Sequence, residues 1–369
     1  MKIDRRLFVN FDWIPLVLVL SISCIGLLNL YSTNYNLAQI GGKPLYVKQI
    51  YWILIGLALM VVSASIDYRF IIRYGYVIYF ISLLFLFLVF AKGNMTHGSQ
   101  RWLVLWGFSF QPSELMKLTI IIALTKYITD NKIGESYHIK SLAIPFIIVA
   151  IPCLFIMNQP DLGTALFLFI LFFSVVLFVG VNRKTLILFA TSGILLIPIC
   201  WFFMKDYQRE RILTFLNPER DPLGSGYHII QSVIAIGSGG IWGKGFLKGT
   251  QSQLKFLPEQ QTDFVFSVFA EEWGFVGAVI LIFMFLALLL WGFHIARNSR
   301  DLAGTLIAFG VIMFVFWGIF INIGMVLGTL PVVGIPLPFL SYGGSSMVVL
   351  MMGTGLLMNV SMRRFMFQS

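Results

Sequence analysis

Ten predominantly apolar runs, each long enough to cross a lipid bilayer as a helix, constrain this chain more than any other feature. A helix needs about 20 apolar residues to span the hydrocarbon core of a bilayer, where no water can satisfy unpaired backbone amides. Helices are therefore the expected spanning elements. The predicted spans lie near 13–31, 49–66, 74–91, 112–129, 141–157, 163–181, 184–203, 264–292, 302–328 and 343–361.

The composition supports the same conclusion. Charged residues make up 11% of the 369 positions and hydrophobic residues 58%, whereas soluble domains carry roughly 25% charged residues. We therefore predict an all-α, polytopic membrane protein that forms a single domain over residues 1–369. The first apolar run is too long for a signal peptide, so we expect a retained first helix. Basic residues sit in short loops between the runs, which argues against nucleic-acid binding.

Lysine and arginine counts predict the orientation of the helices. With the N-terminus inside, the inner segments hold fourteen of these residues and the short outer loops hold four. Because basic residues accumulate on the cytoplasmic side, we predict that both termini are cytoplasmic. The long loop at about 204–263, between predicted spans 7 and 8, then lies outside. Apolar spacing over Ser225–Ile236 predicts a short helix within it.

Polar residues at the ends of several spans form a candidate site. Glu114 and Lys117 share a face of the fourth span, where they can form an ion pair. This pair either holds helices of the bundle together or lines a functional cavity. Asp161 and Asp263 each leave two interpretations open, a helix cap or a direct functional role. In the predicted topology these residues and the turn at 341–346 lie near the outer face, where one cavity could gather them.

A glycine-rich stretch at 237–249 fits neither common nucleotide-binding pattern. Ser238 occupies the position where a P-loop before Gly243 requires glycine, and a GxGxxG pattern from Gly237 fails at Trp242. The glycines could let backbone amides approach an anion such as a diphosphate, or they could form a flexible re-entrant turn. Cysteine and histidine spacing predicts no metal site.

Several long motifs, in one order along the chain, resemble the SEDS family (shape, elongation, division and sporulation). They are QPSE at 111–114, QPDLGTA at 159–165, LPE…TDF at 257–264 and PLPFLSYGGSS at 336–346, with the glycine-rich stretch among them. The segment GTQSQL at 249–254 is similar to the elongation-type, RodA-like branch. The resemblance implies a peptidoglycan glycosyltransferase that polymerises lipid II at the outer face of the bacterial cytoplasmic (inner) membrane, during cell elongation and cell-shape maintenance.

The resemblance also implies roles for individual residues. Asp263 matches the family's essential loop aspartate, and Glu114 and Lys117 match its intramembrane acid and base. We expect Asp263 to act as the general base, while Lys117, with Arg101 or Arg211, neutralises the diphosphate. Glu114 would hold Lys117 in place. The residues expected to bind substrate are Arg101, Asp161, Arg211, Gln251, Glu259, Ser341 and Ser345.

The expected partners follow from the same resemblance. They are lipid II (an undecaprenyl-diphosphate-linked disaccharide pentapeptide), a class B penicillin-binding protein with transpeptidase activity, and membrane proteins of the elongation complex. The candidate cofactor is a divalent cation, Mg or Mn, which outer carboxylates could recruit to the diphosphate. Two alternatives stay open: a lipid II flippase or transporter, because broken helices with buried charges also suit transport, and a non-catalytic scaffold for a transpeptidase.

Overall fold

The computed structural model describes residues 11–39, 44–92, 94–96, 99–105, 108–131, 139–221, 224–254, 256–257 and 259–364. The helices are α1 (Trp13–Gln39), α2 (Leu45–Ser65), α3 (Tyr68–Arg73), α4 (Gly75–Lys92), α5 (Pro112–Asp130), α6 (Ala143–Asn158), α7 (Leu162–Val179), α8 (Arg183–Phe203), α9 (Asp206–Leu216), α10 (Ser225–Ser238), α11 (Thr250–Gln253), α12 (Val265–Arg297), α13 (Leu302–Val326) and α14 (Gly344–Arg363). Three short strands, β1 (Asn94–Thr96), β2 (Ser99–Leu105) and β3 (Phe108–Phe110), pair in antiparallel order between α4 and α5.

Each predicted span lies on a helix, namely α1, α2, α4 to α8, and α12 to α14. Within the described residues, six of these helices are long and apolar enough to cross a membrane by length and composition alone, and α4 and α6 are shorter apolar helices. The loop helix predicted at Ser225–Ile236 is α10. The small β-sheet was not predicted, because two of its strands have only three residues and strands this short carry no readable periodicity.

The centre of the bundle contains α5, α13 and α14, whose side chains are mostly buried. Helix α14 packs closely along α2 because small residues bring the two backbones together. A Cβ atom on Gly56 would lie 2.5 Å from Met351 Sδ, and one on Gly355 would overlap the backbone at Met60. Close approach through small residues is typical of helix pairs in membranes, where van der Waals contact drives association.

Both described ends of the chain lie at one face of the bundle. Asp12, beside the start of α1, accepts hydrogen bonds from Trp291 Nε1 at 2.9 Å and from Ser361 Oγ at 2.8 Å. These donors lie near the C-terminal ends of α12 and α14. Fully buried Asn359 of α14 also donates to the carbonyl of Ser63 at 2.8 Å. This arrangement agrees with the prediction that both termini share the cytoplasmic side.

Helix α12 is broken at Gly274, where φ is 64° and ψ is −165°. The glycine-rich stretch fills the break, because Phe275 N donates to Gly240 O at 2.9 Å and Gly245 N donates to Glu272 O at 3.0 Å. Backbone groups freed by a break in a membrane helix need partners from protein. The glycine-rich stretch is therefore a re-entrant turn packed into α12, and the Gly245 amide is occupied by a carbonyl rather than open to an anion.

We expect Gly274→Ala to lower the thermal unfolding midpoint of the detergent-purified protein. The positive φ is strained for a side chain, which costs about 1–3 kcal/mol, and the added Cβ would also overlap the amide of Gly243. The matched control is Gly193→Ala in α8, where a Cβ meets nothing within 4 Å. Equal midpoints for the two variants would contradict this account of the helix break.

Candidate functional site

Asp263 lies at the end of the long loop, immediately before α12. Its N–H donates to Glu259 O at 3.1 Å, and its carbonyl accepts from Asn322 Nδ2 at 2.9 Å. Asn322 is fully buried in α13 and also donates to Ile335 O at 2.8 Å. The N-cap of α12 is Phe264, without a side-chain cap, so the capping interpretation of Asp263 is wrong. The side-chain amide of Asn322 thus joins the Asp263 loop to the turn between α13 and α14.

That turn, at 331–343, forms a wall of the site. Gly334 has a φ of 74°, and a Cβ atom there would lie 3.3 Å from Asp263 Oδ2. The hydroxyl of Ser341 donates to Thr262 O at 2.5 Å and accepts from Leu337 N at 2.8 Å. Ser341, predicted to bind substrate, therefore uses its hydroxyl to fix the turn against the residue before Asp263.

Asp161 caps α7, as one of its two interpretations predicted. Its carboxylate accepts from Thr164 N at 3.2 Å and from Thr164 Oγ1 at 2.9 Å. Arg101 of β2 lies beside it, with Nη1 3.8 Å from Asp161 Oδ2, and donates to Pro160 O at 2.5 Å. The hairpin thereby places an arginine at the outer end of α7, where its charge is shared between a carboxylate and a turn carbonyl.

Burial and the neighbouring charges together raise the pKa of Asp263. Burial is the largest cause that raises the pKa of Asp263, and the negative charge of Glu259 raises it further. A hydrogen bond from Thr262 and the positive charge of Arg211 lower the pKa, and Asp161 raises it, with a net value of about 6. Such a carboxylate is ionised at neutral pH and binds a proton more readily than an ordinary aspartate, as suits a general base.

Arg211 of α9 is the cation among the charged groups that act on Asp263. Its side chain is exposed, and Nη1 donates to Val332 O in the 331–343 turn at 3.4 Å. At the outer end of the bundle, this exposed guanidinium has further N–H groups that can meet a phosphate oxygen.

Glu114 and Lys117 form a separate cluster inside the bundle. Lys117 Nζ lies 2.5 Å from Glu114 Oε1, and both side chains are buried. The ammonium group also lies over the rings of Phe167 of α7, at 4.8 Å, and Phe314 of α13, at 5.7 Å. Among the described residues, no hydrogen bond or ion pair joins this pair to Asp263. The Lys117 ammonium group is thus held by one carboxylate and two aromatic rings, without a described contact to Asp263.

Two other predicted substrate residues also make contacts away from Asp263. Ser345 Oγ, at the start of α14, accepts from Gln111 N at 2.9 Å. Gln251 donates its N–H to the buried carboxylate of Glu271 at 3.1 Å, close to the break in α12. Both contacts hold backbone segments together, and we assign neither residue to the surroundings of Asp263.

Asn322 and Thr262 touch Asp263 and were absent from the predicted site. A polar amide within an apolar span is costly unless it has partners, so the position of Asn322 in the ninth span was a usable signal. No comparable sequence signal points to Thr262, because a threonine next to an aspartate is common in loops. Its role depends on the local turn, which the sequence does not reveal.

The chain matches a known family along nearly its whole length. The family of cell cycle proteins that includes FtsW, RodA and SpoVE matches residues 12–365. The peptidoglycan glycosyltransferase MrdB of Escherichia coli (strain K12) is 44% identical over 325 residues, which cover 86% of each chain. The peptidoglycan glycosyltransferase RodA of Treponema pallidum (strain Nichols) is 33% identical over 427 residues, covering 96% of this chain and 98% of the relative.

Solved structures show the same similarity. A chain from a peptidoglycan synthase complex, studied for the coordination of polymerization and crosslinking, superposes with a TM-score of 0.82 at 36% identity and covers 96% of this chain and 98% of its own. The crystal structure of the rod shape determining protein RodA of Thermus thermophilus superposes with a TM-score of 0.70 at 29% identity, covering 97% of this chain and 98% of its own. These similarities confirm the predicted all-α, polytopic membrane fold.

We expect Lys117→Met to destabilise the protein by about 3–5 kcal/mol, because Glu114 would then be buried without its partner. The double variant Glu114→Gln/Lys117→Met leaves no unpaired charge and should recover most of this loss. Unfolding of the purified variants in detergent measures both effects. A double variant as unstable as Lys117→Met would show that the two side chains do not stabilise each other as an ion pair.

Proposed function

We infer that this chain, which belongs to the FtsW, RodA and SpoVE family of cell cycle proteins, is a peptidoglycan glycosyltransferase of the bacterial cytoplasmic (inner) membrane. Its relatives over most of the chain carry that activity in their names, and a related structure belongs to a peptidoglycan synthase complex. The observation that carries the mechanism is Asp263, a recessed carboxylate with a pKa raised to about 6 at the outer end of the bundle.

The proposed substrate is lipid II, which supplies both the donor and the acceptor sugar. The 4-hydroxyl of the acceptor attacks the anomeric carbon of the donor, and the bond to the lipid diphosphate breaks with its electron pair leaving on the diphosphate. Asp263, as the carboxylate, accepts the hydroxyl proton. Because the diphosphate is already a stable anion, no protonating acid is needed, in contrast to a glycosidase with two catalytic carboxyl groups.

The leaving diphosphate requires positive charge close to Asp263. Arg211 fits this role best, because it is exposed and acts electrostatically on the Asp263 carboxylate. Arg101 already shares its charge with Asp161 and the carbonyl of Pro160. We therefore propose Arg211 as the principal diphosphate-binding residue, with Arg101 holding the outer end of α7.

Lys117 could meet a diphosphate only if its enclosure by Phe167 and Phe314 opened. The closed arrangement supports a structural role, in which the Glu114–Lys117 pair holds α5 against α7 and α13. Glycan synthesis by a stable Glu114→Gln/Lys117→Met variant distinguishes the interpretations. Retained synthesis indicates a structural pair, and lost synthesis in a folded variant indicates a functional one.

The described carboxylates do not by themselves form a cage for a divalent cation. Within the described residues, no group of three or more His, Cys, Asp or Glu side chains is arranged to hold a metal ion. We propose that a Mg or Mn ion would enter bound to the diphosphate oxygens of the substrate. No step of the mechanism is assigned to it.

The proposed protein partner is a crosslinking enzyme. A related chain belongs to a peptidoglycan synthase complex that coordinates polymerization and crosslinking, and crosslinking of new strands is a transpeptidase reaction. We therefore propose that this chain acts with a class B penicillin-binding protein, together with membrane proteins of the elongation complex.

With purified protein and lipid II, we expect Asp263→Ala to reduce the polymerisation rate by about 10²–10⁴, the usual contribution of a positioned base. The wild-type rate should rise with pH through about 6, because only ionised Asp263 accepts the proton and its pKa lies there. Asp263→Asn, which keeps the size of the side chain, should be equally slow. Exposed Glu219 offers a control, Glu219→Gln. Glycan strands made by Asp263→Ala at the wild-type rate would show that Asp263 is not the general base.

A further inference from the structure

An apolar groove lies between α1 and α12 and opens to the outside of the bundle. Its lining includes Ile25 and Leu28 of α1 and Phe269, Trp273 and Gly277 of α12, and its volume is about 150 Å³. Leu28 is 50% exposed and Trp273 is 43% exposed, so lipid can enter the groove from the side. A cavity of about this volume, lined by aliphatic and aromatic side chains, holds a benzene-sized group. The groove can therefore take a short piece of a hydrocarbon chain.

The groove lies in the outer half of the bilayer. Asp12, immediately before α1, contacts Trp291 and Ser361 at the face of the bundle that holds both ends of the chain. Leu28 follows Asp12 by sixteen residues, which places it about 24 Å from that face at a rise of about 1.5 Å per residue. Because the hydrocarbon core of a bilayer is about 30 Å thick, Leu28 lies close to the outer boundary of the core.

The outer turns of α1 border the Asp263 segment on both sides. Gln261, two residues before Asp263, donates from Nε2 to Asn34 Oδ1 of α1 at 3.1 Å. Asn29 of α1 donates from Nδ2 to the carbonyl of Val265, two residues after Asp263, at 2.9 Å. The short segment that carries Asp263 is therefore held along the outer end of α1.

The groove begins next to the second of these contacts. Leu28 immediately precedes Asn29 in α1, and Phe269 follows Val265 by one helical turn in α12. Consecutive Cα atoms are about 3.8 Å apart, so the Cα atom of Val265 lies within about 8 Å of that of Asp263. An apolar path thus leads from the neighbourhood of Asp263 into the outer leaflet.

Two aromatic rings form the wall of the groove on α12. Phe269 and Trp273 stack with their ring centroids 6.0 Å apart. A Cβ atom on Gly277 would overlap Trp273, so this glycine leaves room for the tryptophan. Because lipid is as apolar as the groove, a bound chain gains van der Waals contact rather than escape from water. An isoprenoid chain, which its double bonds keep partly rigid, loses less conformational freedom on such a wall than a saturated acyl chain does.

We propose that this groove binds the part of the polyprenyl chain that lies nearest to the diphosphate of the lipid-linked sugar, an inference that rests on the proposed function. With the diphosphate at the outer end of the bundle, the first isoprene units enter between Leu28 and Phe269, and the rest of the chain remains in the bilayer. The groove takes no part in bond formation or cleavage. It fixes the depth and direction of the chain, and so holds the attached sugar at the level of Asp263.

Site-specific photocrosslinking tests the occupant directly. The full-length protein, in proteoliposomes of phosphatidylethanolamine and phosphatidylglycerol, carries p-benzoylphenylalanine in place of Leu28, and the probe is radiolabelled undecaprenyl diphosphate. The matched control is the same replacement of Leu166, which is 48% exposed and lies one turn from the outer end of α7. We expect about fivefold more label at position 28 than at position 166, and excess unlabelled undecaprenyl diphosphate should abolish the difference.

Polymerisation kinetics provide a second measurement. Leu28→Trp narrows the groove without changing the residues around Asp263. It should raise the KM for lipid II about fivefold and leave kcat unchanged, as expected when binding of the ground state and the transition state is weakened equally. Leu166→Trp should keep both wild-type constants.

Equal capture of the probe at the two positions by a protein that polymerises lipid II would overturn the groove and leave the proposed function intact. Capture of phospholipid alone at position 28, identified by mass spectrometry, would also overturn it. Preferential capture of the probe at position 28 by a protein that makes no glycan strands would support the groove and overturn the proposed polymerase, because crosslinking does not depend on turnover. If Leu28→Trp fails to fold, the crosslinking result decides alone.

Discussion

The structure depends on satisfying backbone groups where lipid offers no water. The break at Gly274 frees amides and carbonyls inside α12, and the re-entrant glycine stretch supplies their partners. In the same way, Asn322 satisfies the carbonyls of Asp263 and Ile335 from within α13. These contacts hold the long loop against the bundle, so Asp263 is presented at a defined position although it lies outside regular structure.

The same constraint separates the polar groups by environment. The Glu114–Lys117 pair is enclosed by aromatic rings and gains its stability from pairing. Asp263 instead lies at the outer boundary, partly buried, and the charges of exposed Arg211 and Glu259 act on its pKa. A group at that boundary can be desolvated enough to bind a proton near neutral pH and still be reached by a headgroup from the membrane surface. A polymerase fed by a lipid-linked sugar needs both properties.

Much of the fold could be predicted because hydropathy and charge act locally along the chain. The ten spans, the shared side of the termini, helix α10 and the Asp161 cap all follow from patterns within about twenty residues. The contacts that build the site join distant positions and leave no local pattern. Neither the meeting of Gly243 with Gly274, nor the enclosure of Lys117 by Phe167 and Phe314, can be derived from spacing.

Polymerase and transporter activity can be separated by following lipid II supplied to the purified protein in proteoliposomes, with and without the proposed transpeptidase partner. The same preparation can be assayed for glycan strands and for movement of lipid II between the leaflets. A polymerase consumes lipid II into glycan strands, and this is the result we expect. Movement of lipid II across the bilayer without any polymerisation, with the partner present or absent, would contradict it and indicate a transporter.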